Sequence, residues 1–405
     1  MIGIGELTGP LEEDQVLSHT EPTGRPLRIL VDGRVMQDRY HGIGRCTFEL
    51  MCELSRREVD LILLYSPGSS RLDVSGLITR PTVRAVACRV PVASVRSQWP
   101  LLRAILTFRP DVVFVPYHLT TPLLHGRVPI VSVIHDCIFE RNAASDGLSA
   151  FSLAYRTATR LAIRSAARLL APSKATSQDI ARFYGVELMP DAIVPHGVGA
   201  QFFSVTGRSC HPRAELPERY ILHVGARRPH KNQRVLVEAL AALRASHPDL
   251  GLVLVGQRDP RFPDEVEELI EKLDLSNYVF QYTQADDEVL LDLYANATVF
   301  AFPSLIEGFG LPVLEAMAAG LPVVASDADA VQEAAADAAI IVPARLTSEW
   351  VRALDEVLSD PDLSQDLRKR ARSVAARHTW ARSAELTLAV LESAASHAKG
   401  GGHDA

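Results

Sequence analysis

The chain has no cysteine pair to staple it. Its five cysteines, Cys46, Cys52, Cys88, Cys137 and Cys210, are scattered through 405 residues, odd in number, and never spaced C-x-x-C. That excludes a disulfide framework and a cysteine-built zinc site, and fits reduced thiols in a cytoplasmic protein. No run approaches the roughly 18–20 apolar residues that span a bilayer. The N-terminus, MIGIGELTGPLEEDQ, lacks the basic and apolar regions of a secretory signal, so the expected location is the cytoplasm. Positive charge is not in excess either. Lys and Arg number 42 against 49 Asp and Glu, and the net charge of −7 gives no general attraction to nucleic acid. No short repeat recurs, and the full G-x-G-x-x-G dinucleotide fingerprint is missing.

What is present is an ordinary globular composition, 47% hydrophobic and 22% charged, in a chain long enough for two cores. Charge-poor strand-like runs fall at 28–34, 60–66, 82–88, 111–116, 129–136, 168–173 and 192–197. Helical patterns around 99–107, 148–167 and 174–184 separate most of them. Residues 198–217, with two Pro and two Gly, read as a linker. The alternation then resumes, with strands at 220–226, 251–256, 278–283, 298–304, 322–327 and 338–343 and helices at 231–245, 263–273, 286–296, 311–319 and 330–335. The stretch 347–396 reads as helical. Alternating β and α elements with charge-poor strands imply an α/β fold of parallel sheets wrapped by helices. Two such domains bind ligands beyond the carboxyl ends of their strands, so the cleft between them is the expected site. The expected division is a flexible extension at 1–26, a first Rossmann-like domain at 27–200 and a second at 201–378. A helix at 379–396 would return to the first domain, and 397–405 would be a disordered tail.

Four stretches sit at strand ends, where site residues belong. In PSLIEGFGLPVLEAMAAG (303–320), Gly308 and Gly310 permit a sharp turn, and Pro312 suits the first helical position, where a missing N–H costs nothing. The result is an open helix N-terminus that favours an anion, bracketed by Glu307 and Glu315. GARRPHKN (225–232) sets Arg227, Arg228 and Lys231 at another helix start, where cations would neutralise a diphosphate. IHDC (134–137) ends a strand with His135 and Asp136. HGIG (41–44) is a glycine loop leading into a helix. Each also has a plain structural reading: solvated loop charge, helix-capping acids, a hydrogen-bonded core histidine and a common G-x-G turn.

In this order the four stretches resemble the retaining glycosyltransferases of family 4, which have the GT-B fold. The most specific part is EGFGLPVLEAMAAGLPVVASD, supported by APSKATSQDI, IVPHGV and LYANATVFAFPS. The resemblance implies two Rossmann-like domains, a first that binds acceptor and a second that binds a nucleotide-diphosphate sugar. It implies that Lys231 and Arg227 or Arg228 bind the donor diphosphate. Many members have an arginine where Ala226 stands here, and of the two that follow Arg227 is favoured over Arg228 on loop reach. Glu307 would hold the transferred sugar and Glu315 the ribose hydroxyls. The backbone from Gly308 through Phe309 and Gly310 to Leu311 would meet sugar and phosphates. Gly42 and Gly44 would let the first domain approach the phosphates and the acceptor, and His135 and Asp136 would face the sugar. The implied reaction retains anomeric configuration and needs no cofactor beyond the donor as co-substrate. The implied acceptor is a polysaccharide, a glycolipid or a small metabolite. The alternatives in the same fold are a nucleotide-sugar 2-epimerase and a silent nucleotide-sugar-binding partner subunit.

Two further features are read conservatively. Asp327-Ala328-Asp329 has D-x-D spacing, but hard cations need more ligands than two nearby acids, so no metal is expected. Arg156, Arg160, Arg164 and Arg168 recur every four residues along one expected helix without an intervening acid. A solvated outer face is the favoured reading there, and holding an anionic acceptor or touching an anionic membrane surface are the less favoured ones.

Overall fold

The structure is a computed structural model, and it describes residues 25–37, 41–68, 74–92, 94–142, 150–205 and 215–400. The expected extension at 1–26 lies almost wholly outside these residues.

Strands β1 (Leu27–Asp32), β2 (Val59–Tyr65), β3 (Val83–Ala87), β4 (Val112–Val115), β5 (Ile130–Val133) and β6 (Arg168–Leu170) form one parallel sheet in the order β3-β2-β1-β4-β5-β6. Its central strands are apolar at successive positions because both faces are covered. Ile29, Val31, Leu61, Leu63 and Phe114 pack on one face. Leu30, Ile62, Leu64, Val113 and Val115 pack on the other. At the end of β1, Asp32 and Arg34 are both fully buried and form a two-pronged pair at 2.7 Å. Losing either partner would leave an uncompensated buried charge, a change that typically costs about 3–5 kcal/mol.

A second sheet repeats the design: β7 (Arg219–Val224), β8 (Leu250–Val255), β9 (Val279–Tyr282), β10 (Val299–Phe302), β11 (Val323–Ser326) and β12 (Ile340–Val342), ordered β12-β11-β10-β7-β8-β9 and again parallel. Tyr220, Leu222, Phe300 and Phe302 serve one core and Ile221, Leu252, Val299 and Ala301 the other. The helices Thr347–Ser359 and Pro361–Ala375 finish this second unit, with Trp350 fully buried and its indole donating to the Pro343 carbonyl at 3.2 Å. The last helix, Trp380–Gly400, instead packs Ala384, Val390, Leu391 and Ala394 into the core under the first sheet.

The chain therefore crosses between the units twice, and the crossings touch. Val198 N–H donates to the His378 carbonyl at 3.0 Å, and Ser383 Oγ to the Pro195 carbonyl at 2.5 Å. A Cβ on Gly197 would lie 2.2 Å from the Trp380 nitrogen, so only glycine fits there.

Five expectations need correction. Residues 192–197 are not a strand; a single bridge, Ala171 to Ile193, is all that pairs, because the short turn Pro190–Ala192 takes the start of the run and Pro195 interrupts it. Gly42 and Gly44 lie in the first turn of helix His41–Leu54 rather than in a loop before it. Pro312 is the second helical residue, after Leu311, a position whose N–H is equally unpaired. The expected long helix 148–167 ends at Ser165, so Arg168 opens β6 instead and pairs with Asp191 at 2.6 Å. The last helix also continues through 397–400, inside the stretch expected as tail, with His397 Nδ1 at 2.7 Å from the Ser393 carbonyl.

Candidate active site

The turn after β10 is built as its glycines require. Gly310 has φ +111°, a conformation that side-chain-bearing residues rarely adopt, and it caps the helix Leu311–Ala318. Gly308 is held between the units. Its carbonyl accepts from Ser173 Oγ at 2.7 Å and Thr176 Oγ1 at 2.9 Å, both from the first unit. A Cβ at Gly308 would lie 1.9 Å from the His135 carbonyl oxygen and 2.9 Å from Asp136 Cβ. The glycine is thus what lets the ends of β5 and β10 meet. Phe309 turns into an aromatic cluster at the crossing, 5.3 Å from the His196 ring and 5.9 Å from His378.

Lys231 and Glu307 meet across the second unit, Nζ to Oε1 at 2.5 Å, with side chains only 16% and 11% exposed. Burial pushes the Glu307 carboxyl up, but the adjoining ammonium outweighs it and holds the group below its ordinary value. Lys231 also lies 5.6 Å above the Phe302 ring. Its loop is fixed by Asn232, in left-handed backbone at φ 51°, whose amide donates to the Ala344 carbonyl at 2.7 Å. Leu305 N–H donates to the His230 carbonyl at 2.7 Å and ties the two loops together.

Asp136 faces the same pair from the first unit. Burial raises its carboxyl to about 6, and the Glu307 charge adds to the rise. The His135 ring is turned inward: Nε2 is 2.7 Å from the Pro116 carbonyl, and its pKa falls to about 4 on burial. What His135 offers at the junction with Gly308 is its backbone carbonyl. Glu315 is buried, with Oε2 accepting from the Tyr294 hydroxyl at 3.0 Å, and burial raises its pKa despite the opposing charge of Arg45. Arg45 reaches across from helix His41–Leu54 to Asp287 at 3.3 Å.

Arg227 and Arg228 both line a cavity of about 840 Å³ next to this loop. Arg227 is paired with Asp264 at 2.8 Å and is 10% exposed; Arg228 is paired with Asp259 at 3.1 Å and is 43% exposed. Gly44 packs tightly, since a Cβ there would lie 2.7 Å from the Val35 carbonyl, whereas Gly42 faces open space. Asp327 accepts from Ala344 N–H at 3.0 Å, and Asp329 lies 3.7 Å from Arg141. Among the described residues no group of three or more His, Cys, Asp or Glu is placed to hold a metal ion.

Sequence reasoning missed several participants. Ser173 is both N-cap of helix Lys174–Tyr184 and donor to Gly308, and Glu333 of the second unit accepts from Lys174 and Ala175 N–H at 2.9 and 3.2 Å. The only signal for the first was S-x-x-T before a helical run. Nothing local signalled Glu333, Tyr294 or Arg45, whose partners are distant in sequence.

Two facing parallel-sheet units with a cation–acid pair and an open helix N-terminus where they meet define a GT-B protein. The model for "Glycosyltransferase Family 4" matches residues 40–202, and that for "Glycosyl transferases group 1" matches 212–374. The chain belongs to glycosyltransferase family 4. It is 31% identical over 274 residues to the D-inositol 3-phosphate glycosyltransferase of Nocardia farcinica, covering 65% of this chain and 60% of that one. It is 36% identical over 234 residues to the MMP alpha-(1->4)-mannosyltransferase of Mycolicibacterium hassiacum, covering 56% and 54%. The matched part thus spans little more than half the length of these relatives. In fold it is similar to sucrose-phosphate synthase from Thermosynechococcus elongatus, with TM-score 0.71 at 18% identity over 91% of this chain and 98% of that one. It is likewise similar to Anabaena HepE in complex with UDP and glucose, with TM-score 0.66 at 20% identity over 91% and 100%. Among the described residues, no helix is long and apolar enough to cross a membrane.

Proposed function

We propose that the chain moves a sugar from a nucleotide-diphosphate sugar to an acceptor hydroxyl, retaining anomeric configuration and using no metal ion. The acceptor is a polysaccharide, a glycolipid or a small metabolite. The observation that carries this reading is the Lys231–Glu307 pair, 2.5 Å long, beside the Gly310-capped helix N-terminus and under the His135-Asp136 strand end. Without donor the two charges neutralise each other. A donor divides them: its diphosphate takes the Lys231 ammonium and the Leu311 amide at the helix start, and its sugar hydroxyls take the Glu307 carboxylate. Arg227 adds to the diphosphate site by exchanging Asp264 for phosphate oxygen. Glu315, steadied by Tyr294, takes the ribose hydroxyls.

In the reaction the bond from the anomeric carbon to the diphosphate oxygen breaks, and the oxygen keeps the electron pair. The acceptor oxygen then bonds to that carbon on the face the diphosphate leaves, and its proton passes to the departing phosphate oxygen. Preorganised cations and amides where charge develops supply the main stabilisation, and losing one such donor costs about 10²–10³ in rate. Glu307 is bound to Lys231, which suits a sugar ligand better than a nucleophile.

The test is nucleotide release from a panel of UDP-, GDP- and TDP-sugars, with and without acceptor. Acceptor-dependent release is expected, reduced at least about a hundredfold in Lys231→Ala and Glu307→Ala. Tight donor binding without release from any donor would overturn the enzymatic reading, and full activity in both variants would overturn the site.

A further inference from the structure

The outer helical layer of the first unit carries a surface that the donor site does not use. Helix Gln98–Phe108 buries Leu101, Ala104 and Ile105 and turns Trp99, Arg103 and Leu106 outward in one stripe at i, i+4 and i+7. Trp99 is 69% exposed and Leu106 68%. Helix Ala150–Ser165 does the same, burying Tyr155, Thr159 and Ala162 while Leu153, Arg160, Leu161 and Arg164 face solvent. The loop between β4 and β5 is pinned to both. Gln98 donates to the Thr121 carbonyl at 3.3 Å and accepts from Leu123 N–H at 2.8 Å, and Ser165 Oγ donates to the Pro122 carbonyl at 2.7 Å. Leu123 and Leu124, both exposed, ride on that loop and join the two stripes.

Six of the ten large apolar side chains exposed among the described residues are therefore gathered on one face. The same segments, 94–109, 117–128 and 150–168, contain no Asp or Glu, although the chain as a whole has a net charge of −7. Arg96, Arg103, Arg127, Arg160 and Arg164 are exposed there, and none is ion-paired to a described residue. Arg156 and Arg168 do not belong to the face: Arg156 feels Glu140, and Arg168 is paired with Asp191.

We propose that this face docks the protein on an anionic lipid bilayer. An indole at headgroup depth, leucines reaching the acyl boundary and arginines at the phosphates are the side chains such an interface accepts. A second copy of the chain fits worse, since pairing this face with itself would bring like charges together. The proposal stands on surface chemistry alone and does not depend on the transfer reaction.

The chain supplies its own probe. Of its three tryptophans, Trp350 and Trp380 are buried and Trp99 is exposed, so a change in emission on binding reports this face. The full chain is sedimented with vesicles of phosphatidylglycerol and phosphatidylcholine, and with vesicles of phosphatidylcholine alone. Pelleting with the anionic vesicles, a blue-shifted emission and weakening by salt are expected. Arg160→Glu with Arg164→Glu should weaken partition by at least about 25-fold, since each arginine near an anionic surface contributes about fivefold. Trp99→Phe should keep pelleting and abolish the emission shift. Unfolding temperatures matching the parent chain establish that both variants fold. The proposal is overturned by no pelleting, by equal pelleting of the charge-reversed variant, or by light scattering that shows a dimer dissociated by Leu124→Glu.

Discussion

Replacing Gly308 by alanine tests whether the two units must meet as they do. The added Cβ would lie 1.9 Å from the His135 carbonyl oxygen, whereas ordinary contact begins near 3.4 Å. Something must move by about 1.5 Å, and the atom in the way is backbone at the end of β5, which cannot swing aside as a side chain would. The movement falls between the units, because the Gly308 carbonyl is held there by Ser173 and Thr176. Those two bonds would be strained or lost, at roughly 0.5–1.5 kcal/mol each. A misplacement of about 1 Å can cost about a hundredfold in rate. Gly308→Ala is therefore expected to lower kcat/KM for acceptor-dependent nucleotide release by about a hundredfold or more. Far-ultraviolet circular dichroism should be unchanged, since each sheet keeps its own core. The measurement is steady-state release kinetics beside a thermal melt. Parent-like kcat/KM in the alanine variant would refute the argument that the close approach of Gly308 and His135 sets the site.

Asp136 and Ser173 give two further expectations. Burial first, then the Glu307 charge, raises the Asp136 carboxyl from 3.8 to about 6, so its ionised form costs the folded state. That cost is absent below the ordinary carboxylate value, grows as pH rises to about 6 and is constant above it. Asp136→Asn should therefore gain at most about 3 kcal/mol near neutral pH, with the gain vanishing in acid, as followed by denaturant unfolding across pH. A constant difference at every pH would contradict it. Ser173→Ala removes an N-cap and a bond to the second unit, and should lose about 1–2 kcal/mol, read as a lower melting temperature.

The fold was legible where burial leaves a mark on composition. Twelve strand-like runs are strands, and the central ones are apolar without alternation because both faces of each sheet are covered there. The thirteenth, 192–197, packs Ala192 and Val194 into the core under the first sheet but pairs only through one bridge, because prolines beside and within it break the ladder. In the site, Lys231 and Glu307 were legible as members of one locality because each stands in a loop at the end of a parallel strand. What each touches was not. Gly308 reads in sequence as a turn residue, but its tightest constraint is a carbonyl more than 170 residues earlier. Arg45, Tyr294 and Glu333 act through partners in other elements, and no short window contains both ends of such a contact.

The paired crossings at Val198 with His378 and Gly197 with Trp380 make the second unit a continuous insert whose two ends emerge side by side. A module with adjacent ends can be exchanged between relatives by two cuts at one place in space. A graft made at these two positions would carry the whole Lys231–Glu307–Glu315 apparatus in a single piece. The first unit and its cationic outer face would stay with the host. The contacts that the graft must match include Gly308 to Ser173, Thr176 and His135, Phe309 to His196, Glu333 to the start of the helix at Lys174, Asp329 to Arg141, and Asp287 to Arg45.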